Sequence, residues 1–331
     1  KRSGSRFTGR CPFHNEKTPS FNVNPARGFY KCFGCGVAGD AITFMMKYHK
    51  MDFIESIREL ARRAGVALPE RNATPEEKKQ MSQAELATNA MMAAAKYYHG
   101  VLRTPAGKSA VSYFRKRNFS QETIDEFLLG FSPDSFEATR LELNHLGYSN
   151  DVLLDAGLIV RNDDGSAVWD RFRGRAMFPI QNMTGKVIGF GARLMEDDKT
   201  KAKYVNSPQT IIYDKSSSLY GIWQAKGHIR AERTAILVEG YADVLTMHSA
   251  GFKNTVASSG TALTEKQLEA IARLATKLYV VYDADTAGIK AADRAIELAL
   301  PHGFDVRIVQ LPAGDDPDSL IRDHGEKVFR S

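Results

Sequence analysis

Past residue 234, short apolar runs alternate with segments whose apolar residues recur every three or four positions. The runs 235–238, 278–282 and 306–311 are β-branched or aliphatic and predict strands, while 242–249, 265–275 and 287–300 carry a helical period. Such an alternation predicts a parallel sheet with helical crossovers. Upstream, 53–64 reads as an amphipathic helix stopped by Gly65, and 84–98 as an Ala- and Met-rich helix whose Met91-Met92 pair fits packing. Strand and turn signals dominate 170–220, as in Arg175-Ala-Met-Phe-Pro-Ile, then Thr184-Gly185, then Val187-Ile-Gly-Phe. A polar stretch with two prolines and charged repeats predicts a linker over 69–84. The fold class expected is α/β within an α+β whole. Residues 1–68 are expected to form a small ribbon domain, 69–84 a linker, 85–234 a basic mixed α/β subdomain and 235–331 a parallel-sheet subdomain.

Each predicted strand of the last segment is followed by paired acids: Glu239 with Asp243, Asp283 with Asp285, Asp316 with Asp318. Ligands of parallel sheets bind beyond the carboxyl ends of the strands, so these acids can converge although distant in sequence. Six converging carboxylates repel one another unless a cation intervenes, and all-oxygen ligation suits Mg²⁺ or Mn²⁺. Asp is also a common helix N-cap and turn residue, but capping alone gives no reason for paired acids.

At the amino end, Cys11-Pro-Phe-His14 and Cys32-Phe-Gly-Cys35 are separated by seventeen residues. This is the spacing of a closed tetrahedral Cys₃His zinc site, with Gly34 and Gly36 permitting the tight turn of a knuckle. Four protein ligands leave no open position, so one structural zinc is expected. Cys11, Cys32 and Cys35 are the only cysteines, which leaves no disulfide framework and points to a reducing, cytoplasmic setting. Phe7, Arg10, Phe13, Lys17, Phe21, Arg27, Phe29, Tyr30, Lys31 and Phe33 interleave basic and aromatic side chains around this site. They can serve as a stacking surface for single-stranded nucleic acid or as the core of a small domain, and the two roles can divide between faces.

Composition is that of a globular protein of 331 residues with 43% hydrophobic residues, and no apolar run approaches membrane-spanning length. No membrane partner is expected. The net charge of +6 is uneven. Residues 1–36 carry seven Lys or Arg against one Glu, 171–233 twelve against five acids, and 239–331 ten against fourteen. A basic stretch before an acidic metal site suits a polyanion held over a cation. The chain starts at Lys1 and residues 328–331 read as the interior of a helix, so a fragment of a longer protein is expected.

With these features in place, the chain resembles bacterial DnaG-type primases over nearly its whole length. The stretches 11–21 and 30–36 resemble the primase zinc ribbon. Asp170-Arg-Phe-Arg173, Gly189-Phe-Gly-Ala-Arg193 and Lys203-Tyr-Val-Asn206-Ser-Pro resemble its basic motifs. Val238-Glu-Gly-Tyr-Ala-Asp-Val244, Tyr282-Asp-Ala-Asp-Thr-Ala-Gly288 and Asp315-Asp-Pro-Asp318 resemble the family's Toprim metal centre. Ala284 stands where the family commonly has glycine. The resemblance implies template-directed synthesis of short RNA primers on single-stranded DNA from ribonucleoside triphosphates, by a monomer. Catalysis falls to Glu239, Asp283 and Asp285, with Asp243, Asp316 and Asp318 completing the set of Mg²⁺ or Mn²⁺ ligands. Arg117, Arg171, Arg173, Arg193, Lys203, Asn206 and Lys215 are expected to hold template or triphosphate. A replicative helicase partner is implied only for the parent protein, through a carboxyl-terminal domain. The alternatives are another Toprim enzyme, nuclease or type IA topoisomerase, and a noncatalytic zinc-dependent DNA-binding adaptor. A topoisomerase needs a tyrosine nucleophile in a further large domain, a nuclease has no need of the basic motifs, and uncompensated carboxylates repel the phosphates an adaptor would bind.

Overall fold

The computed structural model describes every residue except 1, 4, 5, 49–52, 67–74, 197, 199, 259, 261, 313, 326–328, 330 and 331. The chain divides into two units, Lys1–Pro75 and Glu76–Ser331.

The first unit is an antiparallel sheet in sequence order: β1 (Arg2–Ser3), β2 (Arg6–Gly9), β3 (Phe21–Asn24), β4 (Phe29–Cys32) and β5 (Ala38–Asp40). Helices α1 (Ala41–Tyr48) and α2 (Phe53–Ala64) follow. Along β4 the side chains alternate, Phe29 and Lys31 exposed, Tyr30 and Cys32 buried, as a pleated strand with one wet face requires. Phe13, Phe21, Tyr30 and Phe44 make the aromatic core, with ring centroids 5.1 to 6.2 Å apart.

Helix α3 (Pro75–Val101) spans 27 residues. The linker expected over 69–84 therefore needs correcting: 69–74 lie outside the described residues, and 75–84 are the opening turns of α3. Pro75 occupies the first helical position, where a missing N–H costs nothing, and Glu, Lys and Gln are good helix formers. A charged run that is polar on every side reads like a linker although it forms helix readily.

Short helices α4 (Lys108–Lys116) and α5 (Gln121–Glu126), strand β6 (Gly130–Ser132), helices α6 (Ala138–His145) and α7 (Asn150–Asp155), and the ribbon β7 (Ile159–Arg161) with β8 (Val168–Asp170) lead to a second antiparallel sheet. Its order is β11 (Tyr204–Asn206), β10 (Val187–Leu194), β9 (Arg175–Gln181), β6. β9 is buried throughout because both faces are covered. Met177 packs with Met91 and the alanines of α3 on one side; Ala176, Phe178 and Ile180 pack with Phe114 and Tyr241 on the other.

Helix α8 (Ile222–Glu232) opens the parallel segment: β12 (Thr234–Val238), α9 (Tyr241–Ser249), β13 (Thr255–Ala257), α10 (Glu265–Ala272), β14 (Lys277–Val280), α11 (Thr286–Ala299), β15 (Asp305–Ile308) and α12 (Pro317–His324). Its sheet has the order β13-β12-β14-β15 with every pairing parallel. β12 and β14 are the inner strands, so the turns after them lie side by side. Among the described residues, no helix is long and apolar enough to cross a membrane.

Candidate metal centres and nucleic-acid interface

In the first unit the Sγ atoms of Cys11, Cys32 and Cys35 and a ring nitrogen of His14 all lie within 4.8 Å of one another. The Cys11 and Cys35 sulfurs are 3.9 Å apart, against the roughly 3.8 Å that two ~2.3 Å Zn–S bonds at a tetrahedral angle span. His14 presents Nδ1, 3.8 Å from the Cys32 sulfur. Gly34 makes the knuckle possible, because a Cβ there would stand 2.8 Å from His14 Nε2 and 2.9 Å from Ser20 Oγ. Burial raises the Cys11 thiol to about 11. Burial also opposes ionisation of Cys32, yet the contact with Ser20 Oγ and the backbone N–H groups of Cys35 and Gly34 prevail and bring that thiol down to about 6. A thiolate already favoured by N–H donors suits a zinc ligand.

Glu16 escaped the sequence reading and turns out to organise this site. Its carboxylate accepts from the backbone N–H of Cys11 (2.7 Å) and of Ser20 (3.0 Å) and from the Ser20 hydroxyl, and lies 3.3 Å from His14 Nε2. A carboxylate on the far nitrogen of a ligating histidine fixes the ring and raises its basicity. The acid two positions after His14 was the available signal. Glu16→Gln is expected to weaken zinc affinity about 10-fold or more, measured by chelator competition; unchanged affinity would reduce Glu16 to a loop tether.

In the second unit, Glu239 follows β12 directly and accepts the backbone N–H of Asp283 (3.1 Å), locking the turns after the two inner strands together. Asp243 is buried and turns back to accept from Gly240 N–H (2.9 Å). Asp285 and Asp316 are the N-caps of α11 and α12, accepting from the N–H of Gly288 (2.7 Å) and of Ser319 (2.5 Å). The acids thus do cap helices, and they also face one another. Burial, then the charges of Asp316 and Asp283, push Asp243 up to about 8. Burial, then Glu239, Asp316 and Asp285, push Asp283 to about 6. Among the described residues, the Cys₃His set is the one group of three or more such side chains whose donor atoms gather within 4.8 Å. The carboxylates stand further apart, as like charges favour. Their electrostatic frustration fits a divalent cation.

Asp318 differs from the other five acids in its partners, although its charge also bears on Asp243. It is 1% exposed, and its carboxylate takes hydrogen bonds from the Thr246 hydroxyl (2.5 Å), from Arg322 Nη1 (2.7 Å) and from Arg117 Nη1. Arg117, expected on template or triphosphate, is thus one of the three residues that hold it.

Raised carboxylate pKa values carry a sign. Asp243 and Asp283 contribute stability that is complete below the ordinary Asp range near 4 and lost as pH rises through about 6 for Asp283 and about 8 for Asp243. The metal-free protein is expected to lose melting temperature from pH 5 to pH 8, and Mg²⁺ to raise it more at pH 8. An equal Mg²⁺ effect at both pH values in calorimetry would contradict this.

The basic motifs divide between scaffold and surface. Arg171 Nε donates to the Gly157 carbonyl (2.9 Å), and burial lowers its pKa. Asp170, beginning the same motif, caps α6 by accepting from Thr139 and Arg140 N–H. The Arg173 guanidinium lies 3.9 Å from the centroid of Phe136, and that of Arg193 4.3 Å from the Tyr113 ring. Lys203 is exposed, Lys215 half-buried. Asn206 accepts from the Tyr241 hydroxyl (2.9 Å). Tyr241, two residues after Glu239, stacks on Phe178 and lies against Gly191, where a Cβ would come within 2.2 Å of the ring. The glycine of the Gly-Phe-Gly-Ala-Arg motif thereby seats the carboxylate turn on the basic sheet. In the first unit, Lys31 Nζ stands 5.3 Å over Phe33, which is 70% exposed, and Phe29 on the same strand as Lys31 is exposed too. Phe13, Phe21 and Tyr30 belong to the core.

A family model described as CHC2 zinc finger matches residues 1–76, one described as DNA primase catalytic core, N-terminal domain, matches 97–226, and a Toprim-like model matches 236–321. Ribbon and carboxylate sheet together make this a zinc-finger protein of the Toprim class, in which a zinc site and a divalent-cation site are both implied. The DNA primase of Pseudomonas aeruginosa is 42% identical over 340 residues, covering 100% of this chain and 50% of the relative. That of Escherichia coli K12 is 39% identical, covering 100% and 57%. The crystal structure of the zinc-binding and RNA polymerase domains of Aquifex aeolicus primase is 35% identical, with a TM-score of 0.67, covering 100% of this chain and 78% of that one. A DnaG primase catalytic domain bound to single-stranded DNA is 36% identical, with a TM-score of 0.69, covering 76% and 78%. The chain belongs to the DnaG primase family, and spans about half the length of the curated relatives it matches.

Proposed function

We propose that the chain is the primer-synthesising part of a DNA primase: it joins ribonucleotides into short RNA on a single-stranded DNA template by phosphoryl transfer. The observation that carries this reading is the meeting of the turns after β12 and β14, where Glu239 accepts from Asp283 and the crowded acids hold protons too tightly for ordinary carboxylates. Glu239, Asp283 and Asp285 are assigned the cation, with Asp316 and Asp243 beside them. When bound, Mg²⁺ or Mn²⁺ supplies the positive charge that activates a primer 3′-hydroxyl and stabilises departing pyrophosphate. The chain's own residues fix the geometry. The Asp283 N–H holds Glu239 in place, Tyr241 anchors the turn to Asn206 and β10, and exposed Lys203 with Arg193, Arg173 and Lys215 faces the phosphates of template or ribonucleoside triphosphate.

The Cys₃His set is assigned one structural zinc, since it offers four donors and no open position. Its ribbon presents Phe29, Lys31 and Phe33, an aromatic and basic surface suited to stacking unpaired bases of a template. A cytoplasmic setting follows from these partners and from thiols that must stay reduced to bind metal. Incubation with single-stranded DNA, labelled ribonucleotides and Mg²⁺ tests the reading: short RNA supports it, and cut or relaxed DNA replaces it with another Toprim activity. Lys203→Glu is expected to weaken DNA binding and to flatten its salt dependence by a slope of about 0.7 per lost phosphate contact. An unchanged slope would leave Lys203 as a solvated charge.

A further inference from the structure

Three helices that are remote in sequence meet at one buried carboxylate. Asp318 lies in the first turn of α12, Thr246 in α9, and Arg117 immediately follows α4 as its C-cap. The Asp318 oxygens are divided among them: Oδ1 takes the Thr246 hydroxyl, and Oδ2 takes one Nη1 from Arg117 and another from Arg322. A carboxylate offers about four lone-pair sites, and three are spent on these donors, two of them cationic. A divalent cation at the same oxygens would stand against two guanidinium groups, so the donor set argues against metal ligation. Asp316, two residues earlier, caps the same helix, and its charge bears on both Asp243 and Asp283, whereas that of Asp318 bears on Asp243 alone and less strongly. Side chains two apart on a helix point to different sides, which gives neighbouring acids of one motif different partners.

The contacts continue beyond Arg117. Its guanidinium lies 5.6 Å from the Tyr113 ring, and the Arg193 guanidinium lies 4.3 Å from that same ring. A contiguous path therefore runs from the helix that carries Asp316, through Asp318, Arg117 and Tyr113, to Arg193 on β10.

We propose that Asp318 is a positioning residue and not a cation ligand: with Arg117 it locks the start of α12 against α4 and α9, and so holds Asp316 at a fixed place between the carboxylate turns and the basic sheet. This rests on the primer-synthesis reading above for its catalytic consequence. The pair spans 201 residues of sequence and closes over a buried carboxylate, so removing one partner strands a partly buried charge of the other.

The test uses the full chain with Asp318→Asn, with Arg117→Lys, which keeps the charge but loses the fork, with both together, and with Glu239→Gln as the control that removes a cation ligand. Mn²⁺ binding is read by electron paramagnetic resonance, and kcat and the Mg²⁺ midpoint by primer synthesis. Misplacing a reacting group by about 1 Å costs about 100-fold in rate, and a loss of that order in kcat is expected for each single variant. The double variant is expected to be no worse than either single, because residues acting as one unit are non-additive. Mn²⁺ stoichiometry is expected to stay at the wild-type value for Asp318→Asn and Arg117→Lys, with any shift of the Mg²⁺ midpoint through Asp316 equal in the two, whereas Glu239→Gln loses bound ion. A missing Mn²⁺ in Asp318→Asn, or a midpoint shifted there but not in Arg117→Lys, would make Asp318 a ligand and overturn the proposal. Unchanged kcat in both single variants alongside a lowered melting temperature would leave only a structural clamp, and would overturn it equally. Should Asp318→Asn fail to fold, Arg117→Lys carries the same comparison. A wild-type chain that binds Mn²⁺ but makes no RNA would refute the proposed function, while the binding arm would still decide whether Asp318 is a ligand.

Discussion

Glu239→Gln is expected to reduce primer synthesis by at least about 1,000-fold at saturating Mg²⁺, since a ligand to the reacting cation supports several kcal/mol of transition-state stabilisation. The fold should not suffer. Gln keeps an Oε1 acceptor for the Asp283 N–H, now 3.1 Å away, and loses only the charge. Glu239 is the nearest-ranking charge that raises Asp283, behind burial alone, so its neutralisation relieves repulsion. The melting temperature of the metal-free variant is therefore expected to equal or exceed that of the wild type. Near-normal synthesis by Glu239→Gln would remove it from the active centre; a fall in melting temperature with the loss of activity would make its role structural.

Cys32→Ser is expected to abolish stoichiometric zinc and to unfold the first unit while leaving the second intact. The central cluster of the ribbon consists of Cys11, Phe21, Tyr30 and Cys32, so two of its four buried residues are themselves metal ligands. A domain with so little apolar core draws its stability from the metal, for which structural zinc supplies on the order of 10–16 kcal/mol in small fingers. Elemental analysis reports the zinc, and amide exchange reports the unfolding residue by residue. Protection should vanish in β2–β4 and persist in β9, β10, β12 and β14. Undiminished zinc, or a ribbon that stays protected without it, would refute the assignment.

The parallel sheet was legible because its strands read as apolar runs, buried in β12 and half-buried in β14, and the stretches 235–238, 278–282 and 306–311 each overlap a strand of the structure, the last one the largely exposed edge strand β15. The edge strand β13 was not, since three residues carry no period. The zinc ligands were legible from spacing alone because a knuckle brings its own residues together locally. The carboxylates were harder. Strand order places their turns side by side, but whether an acid looks into the shared space depends on its place in the helix it begins. Asp285 and Asp316 are N-caps, whereas Asp318, two residues past the cap, is taken up by Arg117, Arg322 and Thr246. The basic residues show the same limit. Asp170, Arg171 and Arg173 sit in one motif, yet the first two are taken up by α6 and the Gly157 carbonyl, contacts made at long range that no local pattern records.

Sequencing the RNA made on two single-stranded templates of different known sequence, with all four ribonucleotides and Mg²⁺, tests the central claim most directly. Short products complementary to whichever template is supplied are expected, lost when the cation is chelated and absent with Glu239→Gln. Products that ignore the template sequence, or template cleavage without any RNA, would contradict it.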